Sequence, residues 1–248
     1  MSVLRKYSKL ANRKVNKLRS ADFVHYRDQR IKSMKAATVV RELGWLQHAL
    51  DVACEDWGQN LPQGNPVKPV RRPKIDNRRE RRLQEGEWQA LLGAVNQARS
   101  PFMKPLLTLA LETGMRRGEL LSIQWRHVGI ERRTVFLPQT KNGRARTVPL
   151  SPNAVAVLMG LPRGEDRCFP LSGNSVRLAF ERLRQRAGVV DLTFHDIRHE
   201  AVSRFVESGL SLVQVQMISG HRDLRMLMRY THLQADDIVA KLAAVEHV

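Results

Sequence analysis

Basic side chains surround the single tyrosine of the segment GHRDLRMLMRYTH, which begins at Gly220. They are Arg222, Arg225, Arg229, His221 and His232. A free phenol titrates at about pH 10, so Tyr230 would be a nucleophile at neutral pH only if nearby cations favoured the phenolate or a base took its proton. Alternatively, Tyr230 could bury its ring in a core, because Leu224, Leu227 and Met228 fall at helical spacing.

Further polar residues lie at the predicted ends of helices and strands. They are Arg116, Lys141, His195, Arg198 and His221. Arg116 follows a predicted helix stop at Gly114, so an anion there would meet a guanidinium and the amides of the next helix. Side chains at element ends can converge on a shared cleft, whereas charges in the middle of a helix usually face water.

Each of these residues also has an ordinary structural explanation. Arg116 could pair with Glu119 in a salt bridge at a helix start, and Lys141 could be a solvated lysine in a turn. His195 could be a core histidine or, with His199, one half of a helical zinc pair. The residue after His195 is an aspartate where zinc proteases have glutamate, and no third ligand follows in that motif's order, which weakens the zinc alternative.

The motifs TGMRRGEL, TKNGRARTVPL, HDIRH, SGH and RYTH, taken in this order, resemble the catalytic domain of the tyrosine recombinases, the phage integrase family. The resemblance extends roughly from Arg81 to the C-terminus. It assigns the active-site positions of the family to Arg116, Lys141, His195, Arg198, His221 and Tyr230.

The resemblance implies a role for each of these residues. Tyr230 attacks a DNA phosphate, giving a 3′-phosphotyrosyl bond and a free 5′-hydroxyl. The two arginines bind the non-bridging oxygens of the phosphate, and His221 adds a third donor. Lys141 is the general acid for the leaving oxygen, and His195 assists proton transfer. No metal and no other cofactor is implied.

The charge of the chain predicts a polyanionic partner. Its 248 residues include 42 Lys and Arg against 24 Asp and Glu, a net charge of +18, which favours double-stranded DNA as the partner. Cys54 and Cys168 are the only cysteines and form no motif, so neither a disulfide framework nor a thiolate zinc site is expected. With no signal peptide and no apolar run of membrane-spanning length, we expect a soluble cytoplasmic protein.

Residues 1–60 are predicted to form a helical core-binding domain, as the resemblance also implies more weakly. Ser20 is predicted to cap the helix ADFVHYRDQRIK, and a second helix runs through AATVVRELGWLQHALDVACEDW. The apolar stripe of the second helix is Val40, Leu43, Leu46, Leu50 and Ala53. The front end, VLRKYSKLANRKVNKL, is shorter than the first helix of the family, so we expect a shortened domain.

Residues 61–82 are predicted to form an interdomain linker, because four prolines favour extended chain. Its cations are expected to follow a phosphate backbone. The predicted DNA-binding residues are Arg71, Arg72, Lys74, Arg78, Arg79, Arg81 and Arg82.

Residues 83–248 are predicted to form the catalytic domain. A helix should end at Gly114, and the strands TVFLPQT and RARTVPL should form a hairpin through residues 141–143, where Asn-Gly is a strong turn signal. A further helix is predicted over Phe194–Ser208, and Ser211 with Gln214 makes a capping box for the helix that follows.

The expected fold is therefore mainly α with a small antiparallel β-sheet, an α+β protein in which two domains form a C-shaped clamp around duplex DNA. We expect a homotetramer on DNA, with a dimer on each recombination site. The tail LQADDIVAKLAAVEHV carries an apolar series suited to packing into a neighbouring subunit or back onto its own domain, namely Leu233, Ile238, Leu242 and Val245.

Three other classes of protein remain as alternatives at this point. A type IB-like DNA topoisomerase uses closely related chemistry but would relax supercoils without a paired site. A metal-dependent nuclease built on His195, His199 and His221 would lose activity in EDTA. A non-catalytic DNA-binding protein would account for the charge and leave the ordered motifs unexplained.

Overall fold

The structure is a computed structural model that describes residues 8–76, 79, 81–139, 143 and 145–231. The chain divides into two compact units, residues 1–79 and 80–248. Predictions made for Lys141, for Arg78 and for the C-terminal tail fall outside the described residues.

The first unit contains three α-helices in its described part, α1 (Ser8–Ala11), α2 (Ser20–Ile31) and α3 (Ala36–Glu55). The expected cap at Ser20 is wrong, because Ser20 is already helical and the preceding Arg19 donates its N–H to Asp22 at 2.9 Å. On α3 the buried stripe runs through Val39 instead of the predicted Val40, since Val39 lies one turn before the fully buried Leu43.

The proline-rich segment after α3 packs into the core of the first unit. The Asn65 amide donates to the carbonyl of Gln47 at 2.7 Å and to Asp51 at 2.9 Å. This anchor holds the segment against α3, and Val67 and Val70 are buried with the side chains of α2 and α3. No α-helix is present in the described residues between α3 and Glu87, as four prolines predict.

The second unit is mainly helical. Its α-helices in the described part are α4 (Glu87–Val95), α5 (Met103–Thr113), α6 (Arg117–Leu121), α7 (Pro152–Met159), α8 (Gly173–Arg186), α9 (Phe194–Glu207) and α10 (Leu212–Ser219). Helix α5 packs against α7 and α9 and buries most of its surface, so it forms the centre of the core. Two short 3-10 helices, Leu224–Met226 and Met228–Tyr230, follow α10.

A small antiparallel sheet completes the second unit. Its strands are β1 (Val128–Gly129), β2 (Thr134–Leu137) and β3 (Arg146–Pro149), in the order β1-β2-β3. The predicted mainly helical fold with a small antiparallel sheet is confirmed. Among the described residues, β2 and β3 pair as far as Leu137, which faces Arg146. Lys141 and Asn142 of the predicted hairpin turn lie outside the described residues.

The predicted helix ends in this unit are largely confirmed. Gly114 and Gly220 follow α5 and α10 in the left-handed conformation, with φ of 59° and 66°. Ser211 and Gln214 form the expected reciprocal capping box at the start of α10. None of the helices in the described part of the chain is long and apolar enough to cross a membrane.

Candidate active site

Arg116 is held at the start of α6 by Glu119. Its backbone N–H donates to Glu119 Oε2 at 2.8 Å and its guanidinium donates to Oε1 at 3.0 Å. The second guanidinium nitrogen donates to the carbonyl of Gly220 at 3.3 Å. The salt bridge offered as the ordinary explanation of Arg116 is thus present, and the same side chain also reaches the end of α10.

Glu119 binds a second arginine, Arg146, which lies on β3. The two nitrogens of Arg146 donate to the two carboxylate oxygens, each at 2.9 Å. Burial opposes ionisation of Glu119, but the hydrogen bonds from Arg146 and Arg116 outweigh it and lower its pKa to about 2. The carboxylate therefore fixes two cations at neutral pH and links α6 to β3.

Arg146 also fixes the turn after α10. Its Nε donates to the carbonyl of Ile218 at 3.3 Å, and a Cβ added at Gly220 would lie 2.7 Å from its guanidinium. The left-handed φ favours glycine there, and any other side chain would have to displace the Arg146 guanidinium. Sequence reasoning missed Arg146 as part of the site, although it lies inside the motif RARTVPL.

Arg198 is 4% exposed and points from α9 towards the same region. It donates to the carbonyl of Gly114 at 2.5 Å and to Nε2 of His221 at 3.2 Å. Burial lowers its pKa to about 10, and the positive charge of Arg116 contributes. Arg198 is still a cation at pH 7, in a setting where its field is weakly screened.

His221 follows Gly220 and is neutral at pH 7. Burial, with the charges of Arg198 and Arg116, lowers its pKa to about 3. The Ser219 hydroxyl donates to the carbonyl of Val215 at 2.6 Å, so its oxygen accepts from His221 Nδ1, also at 2.6 Å. The Nε2 atom then has a lone pair and accepts from Arg198. The donor role of His221 towards a phosphate, implied by the resemblance, stays a prediction.

Tyr230 is half-buried, and its hydroxyl is hydrogen-bonded to Nδ1 of His199. Its ring packs against a cluster formed by Val202, Val215 and Leu227, so the ring does contribute to a core. The apolar series of that alternative explanation is buried only at Leu227, because the segment forms 3-10 helices and leaves Leu224 and Met228 38% and 60% exposed. Burial raises the pKa of Tyr230, although Arg229 and Arg198 act in the opposite direction. The phenol is therefore protonated at neutral pH.

His195 and His199 lie one turn apart on α9, with ring centroids 4.9 Å apart and nearly perpendicular rings. His199 is hydrogen-bonded to the Tyr230 hydroxyl through Nδ1. In the described residues no group of three or more His, Cys, Asp or Glu side chains is arranged to hold a metal ion.

The predicted DNA-binding residues have different environments. Arg81 pairs with Glu87, and Arg82 pairs with Glu200 at 3.0 Å and also with Glu207. These two arginines therefore anchor the start of the second unit, and part of their charge is already compensated.

In the first unit, Arg72 is half-buried and donates to Gln47 at 2.6 Å, whereas Arg71 and Lys74 are exposed. Arg79 is half-buried. DNA binding by the whole set stays a prediction, and the exposed Arg71 and Lys74 have the environments best suited to it.

The site thus contains cations, a protonated phenol and the neutral His221. Arg116, Arg198 and His221 are linked through Gly220 and Gly114, and the charge of Arg198 acts on the Tyr230 hydroxyl. Such an arrangement can bind an oxyanion beside a phenol. Chemically, it suits nucleophilic attack by an oxygen on a phosphate ester.

Comparison with known proteins gives a family and several relatives. The sequence profile of the phage integrase family matches residues 81–237. The chain is 38% identical to the shufflon-specific DNA recombinase of Escherichia coli, over 98% of this chain and 65% of that protein. It is 29% identical to the tyrosine recombinase XerA of Saccharolobus solfataricus, over 67% of this chain and 57% of that protein. It therefore spans less than two thirds of the length of either relative.

The fold is also similar to that of solved integrase structures. A crystal structure of a lambda integrase dimer bound to a core site matches with a TM-score of 0.74 and 22% identity, over 87% of this chain and 80% of that chain. At 22% sequence identity, this comparison supports a similar fold and nothing more.

Proposed function

Since the chain belongs to the phage integrase family, we propose that it is a site-specific DNA recombinase that cleaves and rejoins strands through a covalent bond to Tyr230. The observation that carries the proposal is the grouping of Arg116, Arg198 and His221 around the ends of α5 and α10, with the Tyr230 hydroxyl within reach of the Arg198 charge. Phosphodiester cleavage needs this combination, because the ester repels a nucleophile until cations neutralise it.

Phosphate binding would replace hydrogen bonds that the two arginines now make to main-chain carbonyls. Arg116 donates to Gly220 and Arg198 donates to Gly114. The non-bridging oxygens of a phosphate are better acceptors than carbonyls because they carry charge. As the phosphorus becomes pentavalent its oxygens gain negative charge, and the buried Arg198 stabilises that charge more strongly than a solvated cation could.

Proton transfer completes the cleavage step. The bond from the Tyr230 oxygen to phosphorus forms as the bond from phosphorus to the 5′-oxygen breaks. That leaving oxygen takes a proton, which we assign to Lys141 on the connection between β2 and β3, with His195 assisting. The phosphotyrosyl bond conserves the energy of the ester, so a 5′-hydroxyl from another strand can reverse the step.

We further propose duplex DNA as the partner, bound by a homotetramer with a dimer on each recombination site. The net charge of +18 supports a polyanionic partner. Lambda integrase is described as a dimer on a core site and as a tetramer on a Holliday junction, and recombination requires four strands to be cut in pairs. The tail is proposed to join neighbouring subunits, and the reaction to occur in the cytoplasm without a metal.

The test of this proposal is trapping of the covalent intermediate. A nicked duplex that carries the recombination site, to be identified by searching the DNA that flanks the gene for inverted repeats, should give a protein–DNA adduct that survives denaturing electrophoresis and forms in EDTA. Tyr230→Phe keeps the ring in its core and removes the oxygen, so it should bind the same DNA and form no adduct.

Two results would contradict the proposal. An adduct that persists in Tyr230→Phe, or that maps by peptide mass to Tyr7 or Tyr26, would exclude Tyr230 as the nucleophile. Relaxation of a supercoiled plasmid without the repeats, with no strand exchange between two sites, would favour the topoisomerase alternative.

A further inference from the structure

His199 is the polar partner of the nucleophile in this structure, yet none of the roles assigned above uses it. We propose that His199 is a catalytic residue, whose Nδ1 receives the hydroxyl proton of Tyr230 as the tyrosine oxygen attacks the phosphate. This inference rests on the proposed function of the site, and it concerns the nucleophile side of the reaction, opposite the leaving-group side assigned to Lys141.

The position of His199 on α9 follows from helical geometry. Successive residues of a helix point about 100° apart, so Arg198 and His199 diverge to different partners. Arg198 donates to Gly114 and His221, while His199 meets the Tyr230 hydroxyl. The His199 and Tyr230 rings lie 5.9 Å apart between centroids and are inclined by 32°. Helix α9 thus carries two neighbouring residues of the site, Arg198 as the proposed phosphate-binding cation and His199 as the hydrogen-bond partner of Tyr230.

The direction of the hydrogen bond follows from the two protonation states. Burial, helped by His195 and Arg229, lowers the pKa of His199 to about 4, so the imidazole is neutral at pH 7. Burial raises the pKa of Tyr230, so the phenol keeps its proton. A protonated phenol therefore donates to the lone pair of Nδ1, and the imidazole proton resides on Nε2.

A base is needed because the cations of the site do not yield a phenolate. Arg229 and Arg198 favour ionisation of Tyr230, but burial outweighs them. Of the two routes to an active tyrosine, a positive field or a base, the structure therefore favours the base. As the oxygen–phosphorus bond forms, the phenol proton moves to Nδ1 and gives an imidazolium. The reverse step returns that proton to the tyrosine oxygen.

Charges around His199 make it a weak base until DNA binds. The facing groups are His195, Asp196 and Arg198 from α9, Arg229 and Tyr230 from the last 3-10 helix, and His221 after α10. Most of them disfavour an imidazolium. A scissile phosphate held by the arginines brings negative charge to the site and offsets this repulsion, so the base gains strength only when substrate is in position.

The experiment measures adduct formation in a single turnover between pH 5.5 and 9. The substrate is the nicked duplex with sulfur in place of the 5′ leaving oxygen, so leaving-group protonation does not limit the rate. His199→Leu removes the acceptor, and His199→Asn places an amide oxygen near the position of Nδ1 but cannot take a proton. His127→Asn, a half-buried histidine that contacts Phe136 edge-on, is the control.

We expect wild type and His127→Asn to react at rates that change little above pH 6. Both His199 variants should be about 100-fold slower at pH 6, and the gap should narrow about tenfold per pH unit as solvent deprotonation of Tyr230 takes over. Thermal unfolding and DNA affinity, measured alongside, show whether each variant is folded.

Several outcomes would overturn the proposal. If His199→Asn forms the adduct at the wild-type rate, His199 only positions Tyr230. If the rates of the His199 variants are lower than wild type by the same factor at every pH, His199 has a structural role. Faster adduct formation in His199→Leu would mean that the contact restrains Tyr230. If wild type forms no adduct while it binds DNA, the proposed function itself fails, and this proposal with it.

Discussion

Substituting Glu119 by glutamine tests whether one buried carboxylate organises the cations of the site. Glu119 is 4% exposed and accepts hydrogen bonds from the guanidinium groups of Arg116 and Arg146. Glutamine preserves the shape and one carbonyl oxygen but removes the charge and one acceptor. Arg146, with a side chain only 12% exposed, would then keep its charge without a counter-ion.

The size of the effect follows from the pKa of Glu119. Lowering it from 4.5 to about 2 contributes about 3 kcal/mol to the free energy of unfolding at pH 7. Loss of one partner of a buried ion pair typically costs a similar amount. Because the folded pKa is below the unfolded one, the contribution is complete above pH 4.5 and disappears as the pH falls through 2. The difference between Glu119→Gln and wild type should therefore shrink by about 2 kcal/mol between pH 7 and pH 3.

Denaturant unfolding of the second unit measures this difference. Trp45 and Trp57 belong to the first unit and are 66% and 71% exposed, so replacing both by phenylalanine leaves Trp88 and Trp125 as fluorescent reporters of the second unit. The control is Glu181→Gln, which breaks an exposed ion pair with Arg177 and should change stability by less than about 1 kcal/mol. A Glu119→Gln difference no larger than that of Glu181→Gln, or one that is independent of pH, would refute the reasoning.

Two further predictions concern DNA and the leaving group. Replacing the exposed Arg71 and Lys74 by glutamine should reduce the log–log salt dependence of DNA affinity by about 0.9 for each phosphate that is no longer neutralised. Arg82→Gln should reduce the slope less, because Glu200 and Glu207 already compensate part of the Arg82 charge. An unchanged slope in the double variant would show that Arg71 and Lys74 do not bind phosphates. Lys141→Ala should nearly abolish adduct formation on ordinary DNA. On the sulfur-substituted substrate the variant should form most of the wild-type amount of adduct, because a thiolate leaves without a proton. Equal defects on both substrates would exclude Lys141 as the general acid.

The sequence predicted those features that depend on local rules. Left-handed glycines after α5 and α10, the capping box at Ser211 and the paired strands β2 and β3 all follow from residue types at short spacing. The packing of Val67 and Val70 into the first unit was not predicted, because prolines indicate an extended chain but not where that chain lies. That information resides in the Asn65 anchor to α3, a contact between residues far apart in sequence.

In the site, too, contacts between residues far apart in sequence could not be predicted from local spacing. Two competing explanations of Arg116 followed from the sequence, an ion pair with Glu119 or a binding site for an anion. The structure contains the ion pair, and Arg116 can still bind an anion. Arg146 on β3 also binds Glu119, so Arg116 does not have this carboxylate to itself. Arg146 lies 27 residues from Glu119 in the sequence, so short sequence spacing could not predict this contact. From the sequence, His199 was considered only as a metal ligand, together with His195 or with His195 and His221. Its four-residue spacing from His195 is visible in the sequence, whereas its contact with Tyr230 is not.

The acceptors that hold the two arginines explain how the site stays available to a phosphate. Each arginine donates to the carbonyl of a glycine that ends a helix, Arg198 to Gly114 after α5 and Arg116 to Gly220 after α10, and the negative end of a helix dipole favours a cation there. Arg116 also pairs with the Glu119 carboxylate, whereas Gly114 and His221, the acceptors of Arg198, are neutral. A carboxylate in the place of the Gly114 carbonyl would orient the Arg198 guanidinium equally well but would cancel most of its field. The neutral acceptors orient Arg198 and leave its charge for the phosphate, so the glycine that stops α5 also gives this catalytic cation a replaceable partner.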